Sequence, residues 1–483
     1  MIKKKSLSIN AFFNSLQTLL NLIFPLITFP YVSRTLSVDG IGKYSFSNSI
    51  ISYFILIAGL GISRFAVREG AKYREDRNEF SDFASKVFTI NLCSTFLSYI
   101  LLFISLLFFQ SLRSYKSAIL IFSIQIFLTT LGTDWIYTIY EEYRYITIRN
   151  ISFKIISIVL LLSFVRNRDN YLQYVAVSVF ANSGSYILNF VHLNKFCDLR
   201  IYWRFNWIQY LIPIFIIFGT MMAVTIYVNA DMTMLGLFKT NYVVGIYSIS
   251  SKIYGMIGPI VSAGMAVLIP RLSVLAGKNR MEEYKELLNK LINFMIILLP
   301  AATTGLFMTS RLIVIFIAGN QYLRSETSLR ILSLALFFGT INTIFVECIL
   351  IPLKKEMKTL ISAICGAGIN ILLNFIMIPM LSENGAAITT VLAELLCMSM
   401  NLYFSKRVVL PMLITKDFLK NIISAIIGCI GVIIVCQIIN MLCVTLIVKL
   451  FISIFLSVVV YIVILIVLRN KVVINILKNK KIF

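Results

Sequence analysis

Residues 40–47 read GIGKYSFS, and residues 243–250, 203 positions downstream, read VVGIYSIS. Gly42, Tyr44, Ser45 and Ser47 recur as Gly245, Tyr247, Ser248 and Ser250. The same offset carries Arg68 to Arg271, Arg77 to Arg280 and Glu79 to Glu282. An echo that keeps one offset over about forty residues marks a duplicated unit. In a membrane protein, duplicated halves face each other across a shared site.

The composition says that this is a membrane protein. Of 483 residues, 59% are apolar and 13% charged, with a mean hydropathy of +0.89. A soluble domain of this size has no interior large enough for so much apolar surface. The net charge of +23 would suggest nucleic acid in a soluble protein. Here the basic residues stand in short stretches between apolar runs, with no basic-aromatic platform of the kind a nucleic acid needs, so orientation in the bilayer accounts for them.

Fourteen apolar runs between residues 9 and 468 each reach about 20 residues, the length that crosses a bilayer. An even number puts both termini on one side. That side carries 32 of the 44 lysines and arginines and the other 10, which predicts cytoplasmic termini and cytoplasmic basic loops. The basic run at 3–5 leads into an apolar segment that continues to Pro30 and Tyr31 without a small-residue cleavage site, so it reads as a retained first span rather than a signal peptide. The expected architecture is an all-α polytopic membrane protein. Two pseudo-symmetric six-helix lobes, residues 1–205 and 206–408, surround a central cavity. Residues 409–483 add two helices and a basic cytoplasmic tail.

Eight cysteines without a CxxC pair and a single histidine, His192, offer no metal site and no catalytic triad; Cys429, Cys436 and Cys443 repeat every seven residues, as a packing stripe would. The segment 40–45 lacks the Lys-Ser/Thr ending of a phosphate loop. The loops opposite the termini are all short, which argues against a membrane polymerase or ligase that needs a folded outer domain. No enzymatic function is expected.

Charges inside spans cost roughly 2.5–3.5 kcal/mol each on insertion scales, so they are retained for a reason. Lys252 stands deep in its span beside Ser248, Ser250 and Ser251; it either faces the cavity as a ligand or pairs with Asp134 or Glu347. Arg64 and Arg68 share a helical face at the end of the second span, where they either contact substrate or snorkel to headgroups. Arg271, the repeat partner of Arg68, has the same two readings. Arg34 follows Pro25 and Pro30, which permit bending there, and either lines the cavity or anchors the interface. Asp134 and Glu347 occupy corresponding spans and either pair with a base or carry a proton. Asp231, Asn370, Asn374 and Thr390 supply a carboxylate, two amides and a hydroxyl, suited either to a sodium ion or proton relay or to interhelical hydrogen bonding. Glu394 and Lys449 read as helix-packing charges.

Several stretches together resemble one family. Residues 24–36 (FPLITFPYVSRTL), 40–47, 67–72 (VREGAK), 133–150, 244–254 (VGIYSISSKIY) and 366–390 are similar to Wzx-type O-antigen and capsular polysaccharide flippases. These belong to the polysaccharide transport family within the multidrug/oligosaccharidyl-lipid/polysaccharide exporter superfamily. The resemblance covers about residues 8–405. It implies a monomer in the bacterial inner membrane that moves undecaprenyl-pyrophosphate-linked oligosaccharide from the cytoplasmic to the outer leaflet by alternating access. It further implies no cofactor beyond a coupling Na+ or H+, and a polysaccharide polymerase and chain-length regulator as partners. In the lipid II relatives, basic residues of spans one, two and eight line a cationic cavity; Arg64 and Lys252 match two of these places and Arg34 a third more loosely. Arg68 and Arg271 would assist. Their cation site draws on spans seven, eleven and twelve, where Asp231, Asn370, Asn374 and Thr390 stand. A multidrug antiporter of the same fold is the rival, but it would line its pocket with acids.

Overall fold

The computed structural model describes residues 7–266 and 268–477, and every regular element in them is helical. The basic run at 3–5 and the tail beyond residue 477 lie outside the described residues. The chain forms two compact units, Met1–Gly245 and Ile246–Phe483.

In the first unit, α1 (Leu7–Thr35) is followed by α2 (Val38–Gly59), whose N-terminus is capped by Ser37, the side chain accepting from the Gly40 amide at 3.1 Å. Such a cap satisfies one of the amides a helix start leaves unpaired. Leu60 (φ 44°) and Gly61 (φ 76°) then break the span, and the short helix α3 (Ile62–Gly70) leaves at a new angle. Helix α4 (Arg77–Phe108) is capped by Asp76. After α5 (Gln110–Arg113) comes α6 (Lys116–Gly132), which ends the same way: Thr133 at φ 41° starts the short α7 (Asp134–Ile139). Helices α3 and α7 pack on each other, with Phe65, Ala66, Phe80, Phe83, Trp135 and Tyr137 forming one buried cluster. Helix α8 (Tyr143–Phe164) lies against α1. The sixth span is α9 (Tyr171–Val179), a π-helical turn at Phe180–Gly184 and α10 (Tyr186–His192). Helix α11 (Trp207–Phe238) packs along α2 so closely that a Cβ on Gly236 would meet the Phe46 ring at 2.0 Å.

Helix α12 (Asn241–Ala266) begins in the first unit and continues in the second. There it is followed by α13 (Ile269–Gly277), α14 (Met281–Ala318) and α15 (Ser325–Phe345) with its π-helical extension Val346–Leu350. The 58-residue α16 (Glu356–Leu413) would be about 87 Å long if straight, far more than one crossing. It is broken at Ser382, where the backbone is non-helical (φ 53°, ψ −130°). Helices α17 (Lys416–Met441) and α18 (Leu446–Val467) pack on α14, and α19 (Lys471–Leu477) closes the described chain. Asn421 joins this packing: it donates to Asn293 of α14 at 2.7 Å and accepts from Asn470 at 2.8 Å. An amide that satisfies another amide is a favourable way to pair helices where no water competes.

Twelve helices among the described residues are long and apolar enough to cross a membrane. One of these is α16, which holds two crossings, and α12 adds 26 residues. The fourteen runs expected from hydropathy therefore each have a helix, in an all-α multi-pass membrane protein. The cysteine stripe is shorter than its spacing suggests, because α17 ends at Met441 and leaves Cys443 exposed in the following turn while Cys436 is buried.

Candidate functional site

Helix α3 separates its faces sharply. Ile62, Phe65 and Ala66 are buried, whereas Ser63, Arg64 and Arg68 are exposed. The break at Leu60 and Gly61 makes this possible, because it rotates the last turns away from the apolar axis of α2. A side chain at Gly61 would strain the positive φ and press on Ile217, whose Cγ2 lies 2.7 Å from the Cβ position. Arg64 forms no ion pair among the described residues, while Arg68 donates to Glu69 at 3.1 Å and Glu69 also holds Lys72. Arg34 is exposed near the end of α1.

In the second unit, α13 repeats the pattern of α3, with Leu272 and Leu275 buried and Arg271 exposed and without an ion pair among the described residues. Lys252 is half-buried in α12, one turn from the buried Ser248. Cationic side chains of the kind that bind phosphate are thus presented by both units.

The amide and carboxylate residues are placed differently. Asp231 is buried in α11 of the first unit, two residues from Thr233. Thr233 donates to Ser49 at 3.1 Å and stands 3.1 Å from the Tyr53 hydroxyl. In the second unit, the Asn374 amide donates to Asn370 at 3.2 Å and accepts from Thr389 at 2.6 Å. Thr389, the neighbour of the expected Thr390, therefore belongs to this ladder. Thr390 donates to the Ala386 carbonyl at 3.0 Å and meets the Tyr247 hydroxyl at 3.4 Å. Beside the ladder, Glu383 is fully buried at the α16 break and is held through both oxygens by Arg324, with Nη2–Oε2 at 3.0 Å. No group of three His, Cys, Asp or Glu side chains converges among the described residues.

Asp134 finds its base within its own unit. Arg149 Nη2 lies 3.3 Å from Asp134 Oδ1, the Asn189 amide donates to the same oxygen at 2.6 Å, and Arg149 also bonds Asn189. The Arg149 side chain is only 2% exposed, with its guanidinium over the Tyr145 and Tyr186 rings. Arg149 stands two turns into α8. Its isolation in an apolar run, with Asn189 forty residues later, was the available signal. The second unit has a neutral counterpart, in which Asn401 donates to Asn342 at 2.7 Å and accepts from Ser362 at 2.9 Å. Asn189 and Asn401 are 212 residues apart and Arg149 and Ser362 are 213 apart, so the two polar groups stand at similar places in the two units. Glu347 is half-buried in the π-helical turn, and Glu394 packs its carboxylate against Gly339. Lys449 forms no ion pair among the described residues; its ammonium donates to the Asn440 carbonyl at 3.0 Å, closing the turn between α17 and α18.

Residues 7–276, more than half of the chain, match the model of a family described as "Polysaccharide biosynthesis protein". The chain belongs to this family. Two proteins named "Putative O-antigen transporter" are similar along most of their length. That of Escherichia coli (strain K12) is 24% identical over 411 residues, covering 80% of this chain and 93% of the relative. That of Shigella dysenteriae is 23% identical over 384 residues, covering 78% and 94%. Among solved structures, the fold is that of "Lipid II flippase MurJ, inward closed conformation", with a TM-score of 0.78 at 16% identity, covering 95% of this chain and 99% of that one. In this polysaccharide biosynthesis family member, α3 and α13 present exposed arginines and the middle of α12 carries a half-buried lysine.

Proposed function

We propose that the protein flips undecaprenyl-pyrophosphate-linked oligosaccharide repeat units, of the O-antigen or capsule type, from the cytoplasmic to the outer leaflet of the bacterial inner membrane. The observation that carries this reading is the exposed Arg64 guanidinium, without an ion pair among the described residues, on a membrane-end helix of a polysaccharide biosynthesis family member. A guanidinium binds phosphate oxygens in bidentate fashion, and a carrier of lipid pyrophosphates needs such a group at the mouth of its path. Lys252 takes the second anionic position, and Arg34, Arg68 and Arg271 assist.

The transport cycle is alternating access: the headgroup enters from one leaflet and leaves to the other while the polyprenyl chain stays in lipid. A membrane potential negative inside favours outward movement of an anion by about 2.3 kcal/mol per charge per 100 mV. For a pyrophosphate diester with two charges this is a substantial share of the driving force. Asp231, Asn370, Asn374 and Thr390 are proposed to carry the Na+ or H+ that resets the carrier. Both termini face the cytoplasm, the protein acts as a monomer, and a polymerase and a chain-length regulator receive its product.

The test is surface glycan in a deletion strain complemented with R64A or K252A. Loss of surface polysaccharide at normal membrane levels of the variant supports the assignment. Normal glycan with both variants removes these residues from the mechanism. Altered drug sensitivity with intact glycan would favour a multidrug antiporter instead.

A further inference from the structure

Between α10 and α11 the chain runs along α4, and hydroxyl groups of α4 hold its backbone. Ser81 accepts from the Asp198 amide at 3.1 Å, Ser85 from the Arg200 amide at 3.0 Å and Thr89 from the Tyr202 amide at 3.0 Å. The two spacings fit each other: positions four apart on a helix rise about 6 Å, close to the roughly 6.6 Å between alternate residues of an extended chain. Arg77 secures the lower end, donating to the Asn194 carbonyl at 2.8 Å and pairing with Asp198 at 3.3 Å. Asp198, the acid of this segment, is thereby paired with Arg77.

The side chains divide. Leu199, Phe205 and Trp207 pack on the buried cluster of α3, α4 and α7, and Trp207 stacks on Phe205 with centroids 4.7 Å apart. Ile201 and Trp203 point away and are 55% and 68% exposed, with Arg200 and Arg204 exposed beside them. With alternate amides held by α4, the segment is fixed along that helix and its outward side chains are presented in a set order. A tryptophan and an isoleucine flanked by arginines is the pattern of the membrane–water interface, where the ring sits at headgroup level and the guanidinium reaches phosphate.

We infer that residues 198–207 form a strap in the headgroup layer that binds anionic phospholipid, with Ile201 and Trp203 at the acyl boundary and Arg200 and Arg204 on the lipid phosphates. The occupant is bilayer phospholipid, whatever substrate the protein carries. The charge favours it: two exposed arginines flank the apolar pair, and the one carboxylate within the strap is already engaged by Arg77.

The experiment uses the full chain in nanodiscs of mixed phosphatidylglycerol and phosphatidylcholine, released into native mass spectrometry. The wild-type protein retains phosphatidylglycerol in preference to phosphatidylcholine. With each basic side chain near an anionic surface worth about a fivefold gain, R200Q/R204Q lowers that preference about thirtyfold. R113Q/K116Q, which removes two exposed cations near the start of α6, leaves it unchanged. Brominated phosphatidylglycerol quenches tryptophan emission in the wild type, and W203F loses most of that quenching. Equal retention by wild type and R200Q/R204Q, or an equal loss in R113Q/K116Q, overturns the inference. Displacement of the retained phospholipid by a short-chain isoprenyl pyrophosphate would assign the strap to substrate and also overturns it.

Discussion

Gly42 and Gly245 each press against the residue four places before the other. A Cβ built on Gly42 would lie 1.9 Å from the Asn241 carbonyl oxygen, and one on Gly245 would lie 2.2 Å from the Val38 carbonyl oxygen. Helices α2 and α12 therefore cross backbone to backbone, and the contact reads the same from either helix. The repeat has kept two glycines because the obstructing atoms are main chain and have no rotamer to move into. The Asn241 side chain adds a hydrogen bond from the Tyr115 hydroxyl at 2.5 Å.

G42A and G245A are each expected to destabilise the protein by about 1–3 kcal/mol, the usual cost of overpacking. Thermal unfolding in detergent followed by size exclusion checks this. G219A is the control, since its Cβ meets nothing within 4 Å; replacing a mid-helix glycine by alanine there is expected to stabilise by about 0.5–1 kcal/mol.

The Asp134–Arg149 pair predicts a coupled response. Removing one member of a buried ion pair costs about 3–5 kcal/mol, and the 2% exposure of Arg149 against 38% for Asp134 puts the larger burial on the base. R149M and D134N should each lower the melting temperature. The double variant should lose less than the sum of the two, because neither charge is left alone. Additive losses would show that the two groups do not act as a pair.

The cysteines divide by exposure. Burial, reinforced by neighbouring Asp198, pushes the Cys197 thiol up to about 12, so it stays protonated and shielded at pH 7–9. Cys443 is exposed in the turn after α17. A maleimide applied to the folded protein is expected to label Cys443 and spare Cys197 until detergent denaturation, as read by peptide mass mapping. Early labelling of Cys197 would mean that the segment beneath the strap opens.

Much of the fold was legible because hydropathy and repetition are local or regular signals. The fourteen apolar runs and the Gly42/Gly245 echo stand in the sequence itself. The site was legible only in part. Arg149 was missed because a charge near the edge of an apolar run looks like a loop residue, and only the folded chain brings Asp134 and Asn189 to it. Thr389 gave no signal of its own, because the break at Ser382 resets the helical phase and no periodicity in α16 announces it. The breaks at Leu60 and Thr133 were equally silent, since neither residue type favours positive φ. They nevertheless decide where Arg64 and Asp134 point.

The most direct test of the account is transfer of a fluorescent undecaprenyl-pyrophosphate oligosaccharide between leaflets of proteoliposomes containing the purified protein. With a potential negative on the donor side, the wild type is expected to transfer the lipid. R64A and K252A should each slow it at least about tenfold, the loss expected when one charge-assisted phosphate contact of about 1.5–3 kcal/mol is removed. Wild-type rates in both variants, or no transfer by a folded wild-type protein, would contradict it.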